Sequence, residues 1–265
     1  MQALKEPPVT VDESIMETAF AGVFGAIFGS FLNVVAHRLP RRESLVAPAS
    51  HCVVCGVAIK PYDNIPVLSW LLLRGRCRSC GVHISARYPL IEAGTAALCI
   101  AVVLVKGSAV GVALGLAMVL LLVPAAAIDL EHKRIPNMIT LPGAALAIAL
   151  GLAFDSSGEP ARLLAGLGAG AAFLIVTLIS PSGMGMGDVK FAAMLGLFLG
   201  KAVIPAILIA LLAGVLVGGM VIARVGVGEG RKTALPFGPF LALGAVVALF
   251  VGQPILHWYS TSVVH

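Results

Sequence analysis

Residues 110–128 read VGVALGLAMVLLLVPAAAI, and the next residue is Asp129. A run of about 18 or more apolar residues crosses the roughly 30 Å hydrocarbon core of a bilayer as a helix. No polar stripe recurs within it, so it reads as a membrane helix that ends on an acid. Seven further segments share this character, at roughly 17–37, 88–105, 138–154, 162–180, 189–199, 203–223 and 238–257. The 189–199 segment is short for a span and joins the next through Gly200-Lys201. The count is therefore seven or eight, with eight preferred.

Composition agrees. Of 265 residues, 59% are hydrophobic and 12% charged, with a mean hydropathy of +1.01. Soluble domains carry about a quarter charged residues. In lipid every backbone polar group must be satisfied within the protein, and no strand-length alternation competes with helices here. The expected fold is thus all-α and polytopic, with about eight transmembrane helices and one small zinc-binding cytoplasmic loop domain. The first apolar run is not a removable signal peptide, since no basic region precedes it and no small-residue cleavage site follows.

Three units are expected: 1–37, a tail and first membrane helix; 38–87, a polar loop domain; and 88–265, the remaining membrane domain. Alternating from the loop, its side collects Arg38, Arg41, Arg42, Lys60, Arg74, Arg76, Arg78, Arg87, Lys133, Arg134, Lys190, Arg224, Arg231 and Lys232. The other side receives only Lys5, Lys106, Arg162 and Lys201. The positive-inside rule then puts the loop in the cytoplasm and both termini outside. The net charge of +5 follows topology, so no nucleic-acid partner is expected; the bilayer is the partner.

The loop carries Cys52-Val53-Val54-Cys55 and Cys77-Arg78-Ser79-Cys80, two C-x-x-C knuckles each followed by a glycine, Gly56 and Gly81. Four thiolates on such knuckles suit a tetrahedral structural Zn²⁺, with paired thiols or redox chemistry as the alternative. A loop of this size buries little core, so a metal would act as a staple. His51 and His83 neighbour the knuckles as bystanders, and Cys99 reads as a small buried hydrophobe.

Asp129 closes the quoted run, and Asp188 follows Gly183-Met184-Gly185-Met186-Gly187 directly before another apolar segment. Each could be a cap or a solvated charge; Asp188 is well placed as an N-cap. As a pair they fit another chemistry. Two carboxylates in a partly dry site share a proton, so one activates water while the other protonates a leaving group. The glycine alternation is not a dinucleotide loop, because no strand precedes it and the spacing is wrong. Neither a zinc-protease helix nor a serine triad is present. His132 could face the same cavity as Asp129, but the preferred reading is a solvated loop histidine.

These residues resemble the bacterial prepilin peptidases, or type IV leader peptidases. The resemblance runs through Gly29-Ser30-Phe31-Leu32-Asn33-Val34-Val35-Ala36-His37-Arg38-Leu39-Pro40, both knuckles with Asn64-Ile65-Pro66 and Ser69 between them, and Arg87-Tyr88-Pro89-Leu90-Ile91-Glu92. It continues through Ile128-Asp129, Ile135-Pro136-Asn137, Gly185-Met186-Gly187-Asp188 and Pro236-Phe237-Gly238-Pro239-Phe240. The stretch from Pro40 to Cys52 is shorter than in some members. The resemblance implies a G-x-G-D aspartic peptidase of the bacterial inner membrane with Asp129 and Asp188 catalytic. It would cut the basic leader of type IV prepilins or type II secretion pseudopilins after a glycine at the cytoplasmic face. Members with the cysteine loop also N-methylate the new amino terminus from S-adenosylmethionine. By resemblance Glu43, Gly75, Arg87 and Glu92 are candidates for methyl transfer. On the residues alone Gly75 reads as a turn, Arg87 as a membrane-surface anchor and Glu43 as a solvated charge. Glu92, inside an apolar segment, needs a partner such as Arg87 or a substrate amine. The chain is too short to add a Rossmann domain. Two other classes compete: an ion-coupled transporter with the aspartates in its ion site, and a non-catalytic pilin assembly factor.

Overall fold

The computed structural model of the protein describes residues 11–180, 183–226 and 235–262. Lys5, Arg231 and Lys232 of the charge alternation lie outside them. Eight long helices form the body: α1 (Val11–Arg38), α3 (Arg87–Val105), α4 (Ala109–His132), α5 (Asn137–Phe154), α6 (Glu159–Ile179), α7 (Met186–Leu199), α8 (Val203–Val225) and α9 (Gly238–Ser262). The short α2 (Leu68–Leu72) lies in the polar loop, and no strand occurs among the described residues.

Local chemistry sets the ends. Ser108 caps α4 by accepting from the Gly111 amide at 3.2 Å, and Lys133 closes it in the left-handed region, its amide bonded to the Asp129 carbonyl. Such caps satisfy backbone groups that a helix end leaves orphaned. Pro136 precedes α5 and Pro160 opens α6, positions where a missing N–H costs nothing.

By length and apolar character seven stretches can cross a membrane, one of them the 40-residue Met186–Val225. That stretch is α7 and α8 joined by a turn at Gly200–Ala202, where Gly200 has φ +56°. Gly187, at the start of α7, lies against Ile135 just beyond Asp129, whereas Gly200 at its end meets Arg162 at the start of α6. The chain then reverses: Ala206 of α8 faces Gly244 of α9, and Gly214 further along faces Phe237 and Phe240. Among the described residues the multi-pass body therefore holds eight apolar helices that alternate in direction.

Packing is layered. α1 runs along α3, α6 along α7, and α8 along α9, with α4 and α5 between them. Small residues permit close backbone approach, which drives helix association where lipid tails remove the hydrophobic incentive. A side chain on Gly25 would lie 2.7 Å from the Ala96 Cα, and one on Gly196 2.6 Å from the Gly166 Cα. α7 is the central element; Phe191, Ala192, Met194 and Leu195 are essentially inaccessible, and half of the other positions along it are buried. Outward faces stay apolar, as Leu164, Leu167, Leu178 and Leu212 show. Exposed leucine on this scale suits a lipid solvent.

Candidate functional site

The aspartates come to one end of the bundle. Asp129 sits in the last turn of α4 and is only 4% exposed. Its Oδ2 accepts a 2.8 Å hydrogen bond from the amide of Gly238, 109 residues away. Any Cβ at Gly238 would fall 2.8 Å from that oxygen, so glycine is what lets the backbone reach the carboxylate. Asp188 lies in the first turn of α7, half-buried. It is not the N-cap; Gly185 is, and Asp188 reaches back to accept from the Gly185 amide at 3.1 Å. This is one arm of a capping box, placed there because the N-cap has no side chain of its own. The cap reading thus holds for Asp188 in altered form. Gly187, the residue before it, lies against Ile135, which follows Asp129 closely in the chain, so both carboxyls stand at the same end of the bundle.

The ends around them are braced. Lys190 donates to Asn137 Oδ1 at 2.9 Å, joining α7 to the start of α5. Gly187 packs against Ile135, where a Cβ would have only 3.3 Å. Arg134 donates to the Pro40 carbonyl at 2.8 Å, tying the α4–α5 connection to the base of the loop. His132 is partly buried, its Nε2 enclosed without a hydrogen-bond partner, so it is not the solvated histidine that its loop-like context suggests.

The four cysteines converge. The Sγ atoms of Cys52, Cys55, Cys77 and Cys80 lie within 4.8 Å of one another, and Cys52 and Cys80 are 3.8 Å apart. A tetrahedron with Zn–S bonds near 2.3 Å has edges of about 3.8 Å, so the donor set fits a tetrahedral thiolate metal site. No disulfide joins them. The knuckles are built alike: the Cys52 amide bonds to the Val57 carbonyl and the Cys77 amide to Val82, with Gly56 at φ +70° and Gly81 at φ +73°. His51 and His83 hold short backbone bridges to Ala58 and Arg76, a structural use that leaves the sulfurs to themselves. The amides of Cys55 and Val54 draw the Cys52 thiol down to about 6. The Val82 amide favours the thiolate at Cys80, but burial and the neighbouring sulfurs push that thiol up to about 12. Crowded sulfurs cannot all ionise alone, and a bound dication removes that repulsion.

No hydrogen bond or ion pair among the described residues joins Glu43, Gly75, Arg87 or Glu92 to another of the four. Arg87 pairs with Glu131, not with Glu92, and also donates to the Ala127 carbonyl at 3.4 Å. The start of α3 is thereby clamped to the last turns of α4 on either side of Asp129. Glu92 is buried and accepts from the Val67 amide at 2.6 Å. Val67 has φ +61° and ψ −51°, with the Leu68 amide bonded to the Pro66 carbonyl. That is the strained form of the γ-turn, costly for a β-branched residue. Asn33 supports the same corner by donating to the Tyr88 carbonyl at 3.1 Å. Gly75, at φ +67°, packs on Trp70, whose ring a Cβ would strike at 2.8 Å. Glu43 is exposed at the start of the loop.

Residues 23–106 match the bacterial peptidase A24 N-terminal domain, and residues 116–221 match the type IV leader peptidase family. Among curated proteins, the prepilin leader peptidase/N-methyltransferase of Aeromonas hydrophila is 37% identical, the match covering 91% of this chain and 92% of that protein. Proteins of the same name from Burkholderia pseudomallei and Pseudomonas putida are each 36% identical, covering 90% and 91% of this chain and 87% and 94% of theirs. No solved structure matches the chain. With both family models in sequence order over the cysteine loop and the helices that carry the aspartates, and such similarity along nearly its whole length, the chain belongs to the type IV leader peptidase family.

Proposed function

We propose that this protein cleaves the leader peptide of type IV prepilins or type II secretion pseudopilins after a glycine, and N-methylates the residue so exposed. The observation that carries the reading is the position of two carboxyls at the same end of the bundle, each accepting from a backbone amide. Asp129 and Asp188 form the catalytic dyad. One, as carboxylate, takes a proton from a water that attacks the scissile carbonyl; the other, as carboxylic acid, protonates the departing amine. The Gly238 and Gly185 amides hold each carboxyl in one orientation, so no reorganisation is needed as charge moves. The basic loop lies at this same end, which supports a cytoplasmic active site in the inner membrane.

Cys52, Cys55, Cys77 and Cys80 hold Zn²⁺ as a structural crosslink between the two knuckles. S-adenosylmethionine supplies the methyl group. Glu92 acts here by holding the γ-turn at Val67, and Arg87 by joining the loop boundary to α4; Glu43 and Gly75 complete the candidate surface. An ion-coupled transporter and a passive assembly factor lose to this reading on family membership.

Cleavage of a prepilin in detergent by wild type, Asp129→Asn and Asp188→Asn tests the dyad, with metal content and helicity measured on each protein. Both variants are expected to fold, keep metal and fail to cut. A variant that cuts at near wild-type rate would reduce that aspartate to a capping residue.

A further inference from the structure

Three of the four cations assigned to the end opposite the dyad, Lys106, Arg162 and Lys201, line a single cavity of about 330 Å³. It lies where the α3–α4 connection, the start of α6, the α7–α8 turn and the later turns of α9 meet. Its walls are apolar, with Leu114, Phe198, Leu199 and Leu249 prominent. Gly111 on this wall is about 27 Å of helix rise from Asp129 along α4, which places the cavity in the headgroup region of the opposite leaflet.

The charges there do not cancel internally. Arg162 donates to Asp155 Oδ2 and Glu159 Oε2, each at 2.9 Å, so three cations face two carboxylates and one positive charge is left over. Lys106 donates to the backbone carbonyl of Leu249, a neutral partner. Neither Lys106 nor Lys201 meets a carboxylate among the described residues. An apolar cavity with surplus positive charge at bilayer headgroup depth is complementary to one chemistry, a phosphate attached to hydrocarbon.

We propose that this cavity binds the headgroup of an anionic phospholipid, its phosphate between Lys106 and Lys201 and its acyl chains against the Leu114 and Leu249 wall. The site is independent of the dyad and would staple together the helix ends that meet at the α7–α8 turn.

The test uses the full-length protein, delipidated in detergent and titrated with phosphatidylglycerol, phosphatidylcholine or inorganic phosphate, with retained ligand read by native mass spectrometry and Tm by thermal unfolding. Wild type should retain one phosphatidylglycerol in preference to phosphatidylcholine and gain Tm. The double variant Lys106→Gln/Lys201→Gln should bind it about 30-fold more weakly, from about 1 kcal/mol per basic residue, and Lys106→Arg/Lys201→Arg should restore it. Equal retention by wild type and the Gln variant would overturn the proposal, as would equal retention of both lipids. A Tm gain from inorganic phosphate alone, with no further gain from lipid, would overturn the lipid assignment and leave free phosphate as the ligand. If the Gln variant does not fold, the lipid preference of wild type and the Arg variant decides the matter.

Discussion

Replacing Gly238 by alanine isolates what holds the Asp129 carboxyl. The added methyl would lie 2.8 Å from Oδ2 and 3.1 Å from Cγ, distances that real contacts do not tolerate. Either the carboxyl turns away or α9 retreats, and in both cases the 2.8 Å bond from the Gly238 amide is lost. A hydrogen bond to a charged group is worth about 1.5–3 kcal/mol, which as lost transition-state stabilisation is a fall of roughly 10- to 150-fold in cleavage. The assay is prepilin cleavage under kcat/KM conditions, run beside methylation of an already cleaved pilin with labelled S-adenosylmethionine. Cleavage should drop and methylation should hold, because Gly238 lies at the dyad and not in the 38–87 loop. Gly168→Ala in α6 is the control, since a Cβ there meets nothing within 4 Å. Should Gly238→Ala cleave within about threefold of wild type, the amide does not position the carboxyl and the reasoning fails.

The cysteine site predicts that Cys55→Ser, or chelation, removes the metal, opens the 38–87 loop to protease and abolishes methylation; normal methylation by the stripped protein would refute a structural metal. Arg87→Gln breaks a half-exposed ion pair worth at most about 1 kcal/mol, so cleavage should fall no more than about fivefold. Glu131→Gln should match it on cleavage, and a much deeper loss of methylation in Arg87→Gln alone would assign Arg87 to methyl transfer. The Arg78 guanidinium holds Asp63 below the usual aspartate range. Its folded value is depressed, so the loop keeps this contribution above about pH 4 and loses it as pH falls through the lower folded value. Limited proteolysis of the loop between about pH 5 and pH 2 should show that acid-side loosening in wild type and less of it in Arg78→Gln; identical profiles would remove the linkage.

Much of this was legible because lipid imposes a simple code. Apolar runs near 88–105 and 138–154 fall within a residue of α3 and α5. Ends were missed where a helix runs on into polar sequence, as α4 does through Asp129 to His132, since capping rather than hydropathy stops it there. The four cysteines were readable for a different reason: two residues of spacing and a following glycine suffice to build each knuckle locally. Partners chosen across the fold were not readable. Nothing near Asp129 in sequence points to Gly238, and the pairing of Arg87 with Glu131 instead of Glu92 depends on how α3 meets α4. The positive φ at Val67 has no local signal either, because valine disfavours it and Glu92, a distant residue, helps sustain it.

The brevity of α7 has a consequence for where catalysis takes place. Its 14 residues rise about 21 Å, well short of a hydrocarbon core near 30 Å, and Asp188 stands in its first turn. Longer neighbours enclose this helix, so its shortness leaves the dyad recessed beneath the surrounding headgroups. The enzyme would then sense membrane thickness: turnover in vesicles should fall as acyl chains lengthen, with the depth of the recess, rather than the affinity for the leader, setting how readily a scissile bond reaches the two carboxyls.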